Sequence, residues 1–223
     1  MKAYLGAISG NSYKVKILLA LLKVPHEVVM IDLKNKEHKG AAFLKINPRG
    51  EVPAIEDGGK VIWDSAACLA YIARKHGGEQ WLPSDPAGLA EVMQWIALAA
   101  TEIQCGLQYA RRGVVQGRWT LGSLEDGQAF GKVALDICNS RLAQHEWLAL
   151  GRPTMAEPAC FPYIETAPEG KVALDAALDT DGAPSAEIAR LAFLNAALET
   201  GIENPLDAAL VAAGAAAGLT ASG

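Results

Sequence analysis

The pattern of secondary structure in this chain changes abruptly near residue 80. Up to about residue 76, short β-prone runs alternate with helical segments, whereas beyond Pro86 strand alternation is absent and the apolar residues recur at helical spacing. The stretch from Gly77 to Pro86 is rich in Gly, Pro and Asp, which is typical of a linker between domains. The sequence therefore predicts an α/β domain at residues 1–78 and an all-helical domain at residues 87–223.

The first half predicts a βαβ unit, a short helix and a ββα unit. Because one helix separates the first two strands, these strands should run parallel, with a right-handed crossover. The last two strands flank Asp57-Gly58-Gly59 and should form an antiparallel hairpin. The predicted elements are strands at 2–7, 26–32, 54–56 and 60–63 and helices at 13–23 and 64–76.

The second half predicts a helical bundle, with helices at 87–113, 124–149 and 154–164. Thr154 and Glu157 have the spacing of a capping box, and Pro158 should make the helix start irregular. The final stretch, residues 176–223, is atypical because it is rich in Ala and poor in aromatic residues. Helices are possible there at 185–200 and 205–217, but the order of this stretch stays open, and a shifted reading frame would predict a loose terminus.

Composition limits the function classes. A formal net charge of -5 with 51% hydrophobic residues describes an ordinary acidic globular protein, which argues against a nucleic-acid partner. We expect a cytoplasmic protein without a membrane partner. The sequence contains no uncharged window of about 18 apolar residues, and no basic leader stands before the first predicted strand.

The four cysteines stand too far apart for a C-x-x-C pair or a zinc site. Each is more than twenty residues from the next, so we expect no metal and four buried free thiols; they are Cys68, Cys105, Cys138 and Cys160.

Five stretches resemble the cytosolic glutathione transferase superfamily, in a serine-type bacterial form similar to the phi, theta and nu classes. The resemblance covers residues 1 to about 175. The stretches are Ser9-Gly10-Asn11-Ser12-Tyr13-Lys14-Val15, Glu37-His38-Lys39, Asn47-Pro48-Arg49-Gly50-Glu51-Val52-Pro53, Trp63-Asp64-Ser65 and Arg152-Pro153-Thr154-Met155-Ala156-Glu157.

The resemblance implies a thioredoxin-like N-terminal domain that binds glutathione as co-substrate and a helical domain that holds a second substrate. The implied activity is conjugation or reduction of small hydrophobic electrophiles or peroxides, and the implied assembly is a homodimer. A binding or scaffold protein without turnover is the main alternative. A glutathione-dependent disulfide reductase is disfavoured because the Ser9 loop contains no cysteine.

The resemblance places the thiol-activating group in the loop before the first helix. A hydroxyl that donates to the bound thiol favours its thiolate, and the positive end of the following helix adds to this effect. Ser9 is the first candidate for this catalytic role and Asn11 the second, while Ser12 is the remaining local hydroxyl. Alternatively, all three residues only cap the helix.

The resemblance also assigns the other glutathione contacts. Val52-Pro53 resembles the family's cis-proline turn, where the Val backbone pairs with the cysteinyl part of glutathione; Glu51 stands where Gln is common. Asp64-Ser65 resembles the pair that holds the γ-glutamyl end. His38 and Lys39 are expected near the glycyl carboxylate. Each assignment has a structural alternative, namely a trans turn, a helix cap or a solvated loop charge.

The second substrate should lie between the Ser9 loop and the first helices of the bundle. Candidate wall residues are Tyr109, Arg112 and Trp119. Other large aromatic residues at helical spacing, namely Trp95, Trp147 and Phe161, are better explained as core residues.

Overall fold

A four-stranded sheet with flanking helices forms the N-terminal half of the computed structural model, which describes residues 1–117 and 122–172. The elements are β1 (Lys2–Leu5), α1 (Gly10–Leu21), β2 (Glu27–Met30), α2 (Ala41–Leu44), β3 (Ala54–Asp57), β4 (Lys60–Trp63) and α3 (Ser65–Ile72). A 3-10 turn at Glu37–Lys39 precedes α2.

The sheet has the strand order β2-β1-β3-β4. β1 pairs in parallel with β2 and antiparallel with β3, and β3 pairs antiparallel with β4. This topology confirms the predicted βαβ unit and hairpin, and with them the thioredoxin-like fold of the first half.

Helix α1 begins earlier than the sequence predicted. We expected a start near Tyr13, but the helix begins at Gly10, because the Ser9 hydroxyl accepts the Ser12 amide at 3.2 Å and so forms the N-cap. The loop between β1 and α1 is therefore short, and it points the first turn of α1 at the groove beside the sheet.

The predicted linker contains structure of its own. α3 continues into a π-helical turn at Ala73–Gly77, and a short helix α4 (Gly78–Trp81) follows. Met155 donates its amide to the Trp81 carbonyl at 3.1 Å, which ties this segment to the helical half. The segment is thus part of the packed structure.

Five helical segments follow, as predicted for an all-helical half. They are α5 (Pro86–Ala100), a π-helical turn at Ile103–Gln108, α6 (Tyr109–Gln116), α7 (Leu124–Leu142) and α8 (Ala156–Glu165), and a 3-10 turn at Ala167–Gly170 comes after them. The predicted single helix at 87–113 is interrupted at Thr101, whose φ of -110° and ψ of -90° lie outside the helical region. α7 ends at Leu142, seven residues before the predicted end, and turns occupy the rest.

The start of α8 differs in detail from the predicted capping box. The Glu157 carboxylate accepts the Thr154 amide at 2.7 Å, as expected, but the Thr154 hydroxyl accepts the Ala156 amide at 3.1 Å. The expected donor was the Glu157 amide. Because the helix starts at Ala156, Thr154 is one residue too far from that amide to cap it.

Two glycines allow a close crossing between the π-helical turn and α7. A Cβ on Gly106 would lie 2.2 Å from the Gly131 backbone nitrogen, a distance that no packed side chain tolerates. Position 106 therefore requires glycine because the two backbones approach directly, whereas a Cβ on Gly131 would meet the end of the Leu107 side chain at 2.7 Å.

One large core cluster joins the two halves. It contains side chains of the sheet and α1, such as Leu5 and Val15, together with Ile103 and Tyr163 of the helical half. A smaller cluster around Tyr4 and Phe43 lies on the opposite face of the sheet, because side chains alternate between faces along a strand. The predicted boundaries at 78 and 87 stay predictions, since the core is continuous across them.

Three of the four cysteines are buried free thiols, as expected. Cys105 is exposed, because the π-helical turn directs it outward. Among the described residues, no helix has both the length and the apolar character needed to cross a bilayer. The helices considered at 185–200 and 205–217 lie outside the described residues.

Candidate active site

A cleft of about 1330 Å³ lies between the sheet domain and the helical wall. Loops at the ends of β1, β2 and β4 form one side, and α5, α6, α8 and the π-helical turn form the other. Such a concave groove between two units is the usual location of a small-molecule site. Eleven sequence-predicted site residues line it: Ser9, Asn11, His38, Lys39, Glu51, Val52, Pro53, Asp64, Ser65, Tyr109 and Arg112.

The Ser9 hydroxyl lies at the N-terminus of α1. It accepts a hydrogen bond from the Ser12 amide and, within the described residues, donates none. A hydroxyl has one proton to donate, so that of Ser9 is available to an acceptor in the cleft. The positive end of the α1 dipole adds positive potential at the same place.

Ser12 does not line the cleft. Its side chain is 2% exposed, and its hydroxyl accepts the Gly6 amide at 3.0 Å. We therefore attribute to Ser12 a role in fastening the loop to the end of β1.

Asn11 lies in the first turn of α1, which contacts two other elements. Its side-chain oxygen accepts the Ser65 hydroxyl at 3.4 Å, and its chain neighbour Gly10 lies against the Tyr163 ring of α8. This ring fills the space next to Gly10, where a Cβ would lie 2.5 Å from a ring carbon. The helical half thus contacts the loop that contains Ser9.

Asp64 and Ser65 lie at the N-terminus of α3 and line the cleft. Asp64 has a φ of 78° and accepts the Ala66 amide at 2.9 Å through one carboxylate oxygen. The other oxygen accepts Arg49 Nη1 at 3.0 Å. The pair presents a carboxylate and a hydroxyl beside helix-terminal amides, a combination that suits a ligand with both an ammonium and a carboxylate.

The loop at 47–53 is held from within by Asn47. This residue is 1% exposed; its side chain donates to the Glu51 carbonyl at 2.7 Å and accepts the Arg49 amide at 3.0 Å. The Val52-Pro53 bond is cis, which confirms the expectation from sequence. The loop thereby presents the Val52 backbone to the cleft.

Lys39 and His38 occupy the rim beside this loop. Lys39 Nζ donates to the Arg49 carbonyl at 3.2 Å and is otherwise exposed. Its ammonium can reach an anion at the edge of the cleft.

The helical wall is more polar than we expected. Tyr109 and Arg112 line the cleft as predicted, and Arg111, Gln104 and Gln108 lie beside them. Trp119, the third predicted wall residue, lies outside the described residues.

Lys14 is the most unusual charged residue of the site. It is 4% exposed, lines the cleft, and places Nζ 5.1 Å from the centroid of the Tyr163 ring. Burial lowers the pKa of Lys14 to about 8, while the charges of Cys160 and Asp64 oppose this shift. Within the described residues no carboxylate forms an ion pair with it.

Sequence reasoning missed Lys14, Arg49 and Tyr163 as site residues. Lys14 and Arg49 belong to the stretches on which the family resemblance was based, so the sequence could have indicated them. Tyr163 lies outside those stretches, and its place in the site depends on how α8 packs against α1.

Comparisons with known proteins agree with this geometry. Residues 8–75 match the sequence family described as the glutathione S-transferase N-terminal domain. A crystal structure of a glutathione S-transferase from Pseudomonas fluorescens is 30% identical, with a TM-score of 0.69, over 78% of this chain and 87% of that one.

Two relatives of known name show how far the similarity extends. Maleylacetoacetate isomerase of Pseudomonas aeruginosa is 29% identical over 79% of this chain and 85% of its own length. Glutathione S-transferase theta-1 of Bos taurus is 28% identical over 53% of this chain, and the match spans 47% of that protein, so the chain covers about half of it. The fold, the cleft and these similarities together show that the chain belongs to the glutathione S-transferase family.

Proposed function

We propose that this protein is an active glutathione transferase that conjugates or reduces small electrophiles or peroxides with glutathione. The observation that supports it most is the convergence of Ser9, the Val52 backbone and Asp64-Ser65 on one cleft with a helical wall opposite. A cytoplasmic location, a role in detoxification and a homodimer belong to the same proposal.

The proposed binding mode follows the polar groups of the cleft. The γ-glutamyl carboxylate lies at the Ser65 hydroxyl and the start of α3, and its ammonium lies at Asp64. The cysteinyl backbone pairs with Val52, and the glycyl carboxylate lies near Lys39. Arg49 pairs with one oxygen of Asp64 and the Ala66 amide with the other, so the ligand ammonium would share this carboxylate with both groups.

The proposed chemistry is activation of the glutathione thiol. An unperturbed thiol has a pKa of about 8.5, so only a few per cent is ionised at neutral pH. The Ser9 hydroxyl donates to the sulfur, and the N-terminus of α1 favours its negative charge. Asn11 is the alternative donor, because its side-chain nitrogen donates no hydrogen bond within the described residues. The thiolate then attacks the electrophile that the helical wall holds in place.

Calorimetric titration with glutathione tests the binding part of the proposal. We expect saturable binding by the parent protein and at least a roughly tenfold loss of affinity in an Asp64→Asn, Ser65→Ala variant, because a charge-assisted contact is removed. Asn at position 64 still offers an oxygen to the Ala66 amide, so the start of α3 is preserved.

A well-folded parent protein that binds no glutathione would overturn the proposal and favour the scaffold alternative. Binding without turnover of any electrophile or peroxide would likewise leave a binding protein. Light scattering after size-exclusion chromatography tests the homodimer, for which we expect twice the 23.5 kDa chain mass.

A further inference from the structure

Positive side chains outnumber negative ones in the cleft. Within its described lining, seven Lys or Arg residues face three Asp or Glu residues, although the whole chain has a formal net charge of -5. Low-dielectric walls of one charge sign concentrate ligands of the opposite sign. The cleft therefore attracts anionic ligands, although the net charge of the whole chain is negative.

Three of these cations gather around Tyr163. Lys14 Nζ lies 5.1 Å from the centroid of its ring. Arg111 and Arg112 line the same cleft as Tyr163. Burial raises the pKa of Tyr163, and the positive charges of these two arginines oppose the rise. Because Tyr163 packs against Gly10, Lys14 and this ring lie beside the end of α1 where the sulfur of glutathione would lie, and the two arginines line the same cleft.

Only one of the three cations has an acidic partner within residues 1–117 and 122–172. Arg111 Nε pairs with Glu169 at 2.7 Å. Lys14 and Arg112 form no ion pair and no side-chain hydrogen bond there. Glu51 also acts on Tyr163, but its carboxylate lies 3.9 Å from Arg49, which partly neutralises it. Two positive charges are thus left without a protein counter-ion at the same end of the cleft.

Glutathione by itself accounts for one of these charges. In the proposed binding mode its two carboxylates lie at Ser65 and Lys39, and its third negative charge, the thiolate, lies at the N-terminus of α1, the helix that contains Lys14. Arg112 then remains without an anion, and it belongs to the helical wall that faces the second substrate.

We propose that Arg112 binds a carboxylate of the second substrate, so that this protein prefers electrophiles that bear an acidic group. This inference rests on the proposed transferase function. A planar guanidinium pairs with a carboxylate through two parallel hydrogen bonds, which orients the electrophilic carbon toward the thiolate. With an aryl halide, the sulfur then forms a C–S bond, the carbon–halogen bond breaks, and the halide leaves with the bonding pair.

A matched pair of electrophiles tests the preference. 4-Fluoro-3-nitrobenzoate and its methyl ester share one reacting centre and differ in charge, and each rate is divided by the uncatalysed rate with glutathione. We expect a corrected kcat/KM about tenfold higher for the acid, which corresponds to one charge-assisted hydrogen bond. The Arg112→Gln variant should lose this preference through a higher KM for the acid, with a much smaller change in KM for the ester.

Two further variants test whether the preference for the acid depends on Arg112 itself or on positive charge in general. Arg112→Lys should restore part of the preference, because it keeps the charge but not the paired geometry. Arg74→Gln removes a guanidinium outside the described cleft lining and should leave the acid-to-ester ratio as in the parent.

Three outcomes would overturn the inference. They are an equal corrected rate for acid and ester in the parent, an unchanged ratio in Arg112→Gln, and a pH profile for the ester that shifts in Arg112→Gln, which would assign Arg112 to the thiolate instead. Failure of the proposed function looks different, since neither electrophile would then react and glutathione would not bind.

Discussion

At the scale of single residues, the Ser9 hydroxyl caps α1 at the edge of the cleft, and we propose that it donates to the bound thiolate. Replacing Ser9 by Ala should raise the pKa of bound glutathione by about one to two units and lower kcat at neutral pH by about 10- to 100-fold, because one unit corresponds to a tenfold change in ionised thiol. The ultraviolet absorbance of the thiolate across a pH titration measures the first quantity, and steady-state rates measure the second.

Ser9→Thr serves as the matched variant, since it retains a hydroxyl and a helix cap. An unchanged thiol pKa in Ser9→Ala would assign the donor role to Asn11.

Ser12→Ala should instead lower stability, because the buried Gly6 amide would lose its acceptor.

Lys14 should lower the stability of the folded state at neutral pH. A lysine whose pKa in the folded state is about 8, below its unfolded value of 10.5, destabilises the fold fully below pH 8 and ceases to do so as the pH rises through 10.5. Lys14→Met should therefore raise the free energy of unfolding at neutral pH by about 1–3 kcal/mol.

Urea unfolding at about pH 7 and about pH 9.5 measures this gain, which should shrink at the higher pH. Lys16→Met on the same helix controls for the loss of a lysine. A gain of the same size at both pH values would contradict the explanation. A buried cation that costs stability yet faces the cleft is consistent with a role in ligand binding.

The sequence predicted those cleft-lining residues that short motifs identify. Ser9 and Asp64 cap helices, Ser65 begins α3, and Val52 precedes a proline. Lys14 and Tyr163 could not be found in this way, because their meeting depends on the packing of α8 against α1 across nearly 150 positions of sequence.

At the scale of elements, the loop at 47–53 depends on one buried side chain. Asn47→Ala would leave the Glu51 carbonyl and the Arg49 amide without their partner, and each unmet group costs about 1–3 kcal/mol when buried. Because this loop presents Val52, we expect a glutathione affinity at least several-fold weaker, as well as lower stability.

Calorimetry and urea unfolding measure the two effects. Asn35→Ala is the control, because Asn35 is exposed and its side chain bonds Asp32 at the surface. Equal effects of the two variants would show that Asn47 does not support the site.

The crossing between the π-helical turn and α7 should accept no added methyl group. Gly106→Ala would place a Cβ 2.2 Å from a backbone nitrogen, so we expect a loss of about 2–4 kcal/mol in the free energy of unfolding. At Gly127 on α7, an added Cβ would have its nearest neighbour at 3.4 Å, and Gly127→Ala should be neutral or stabilising by up to about 1 kcal/mol.

Denaturant unfolding of the two variants checks this contrast. Similar stabilities for Gly106→Ala and Gly127→Ala would contradict the close approach. The sequence predicted helices in this region but not the crossing, because the spacing of apolar residues reports which face is buried and not how closely two backbones approach.

At the scale of the whole molecule, the continuous core predicts cooperative unfolding. Leu5 and Val15 share one cluster with Ile103 and Tyr163, so neither half keeps its buried surface when the other unfolds. We expect tryptophan fluorescence and far-ultraviolet circular dichroism to give the same urea midpoint. Two separated midpoints would instead support independent domains, as the boundaries predicted from sequence suggest.

The contact of Tyr163 with Gly10 has a consequence for how such a protein can change over evolutionary time. The helical half, which we propose holds the electrophile, supplies the ring that packs against the loop to which we assign thiol activation. A chimaera that joined the first half of this chain to the second half of a homologue would have to preserve that single fit between ring and glycine. If the proposed function holds, substrate range and thiol reactivity should be inherited together, and new specificities should arise by substitution within the helical wall and not by exchange of halves.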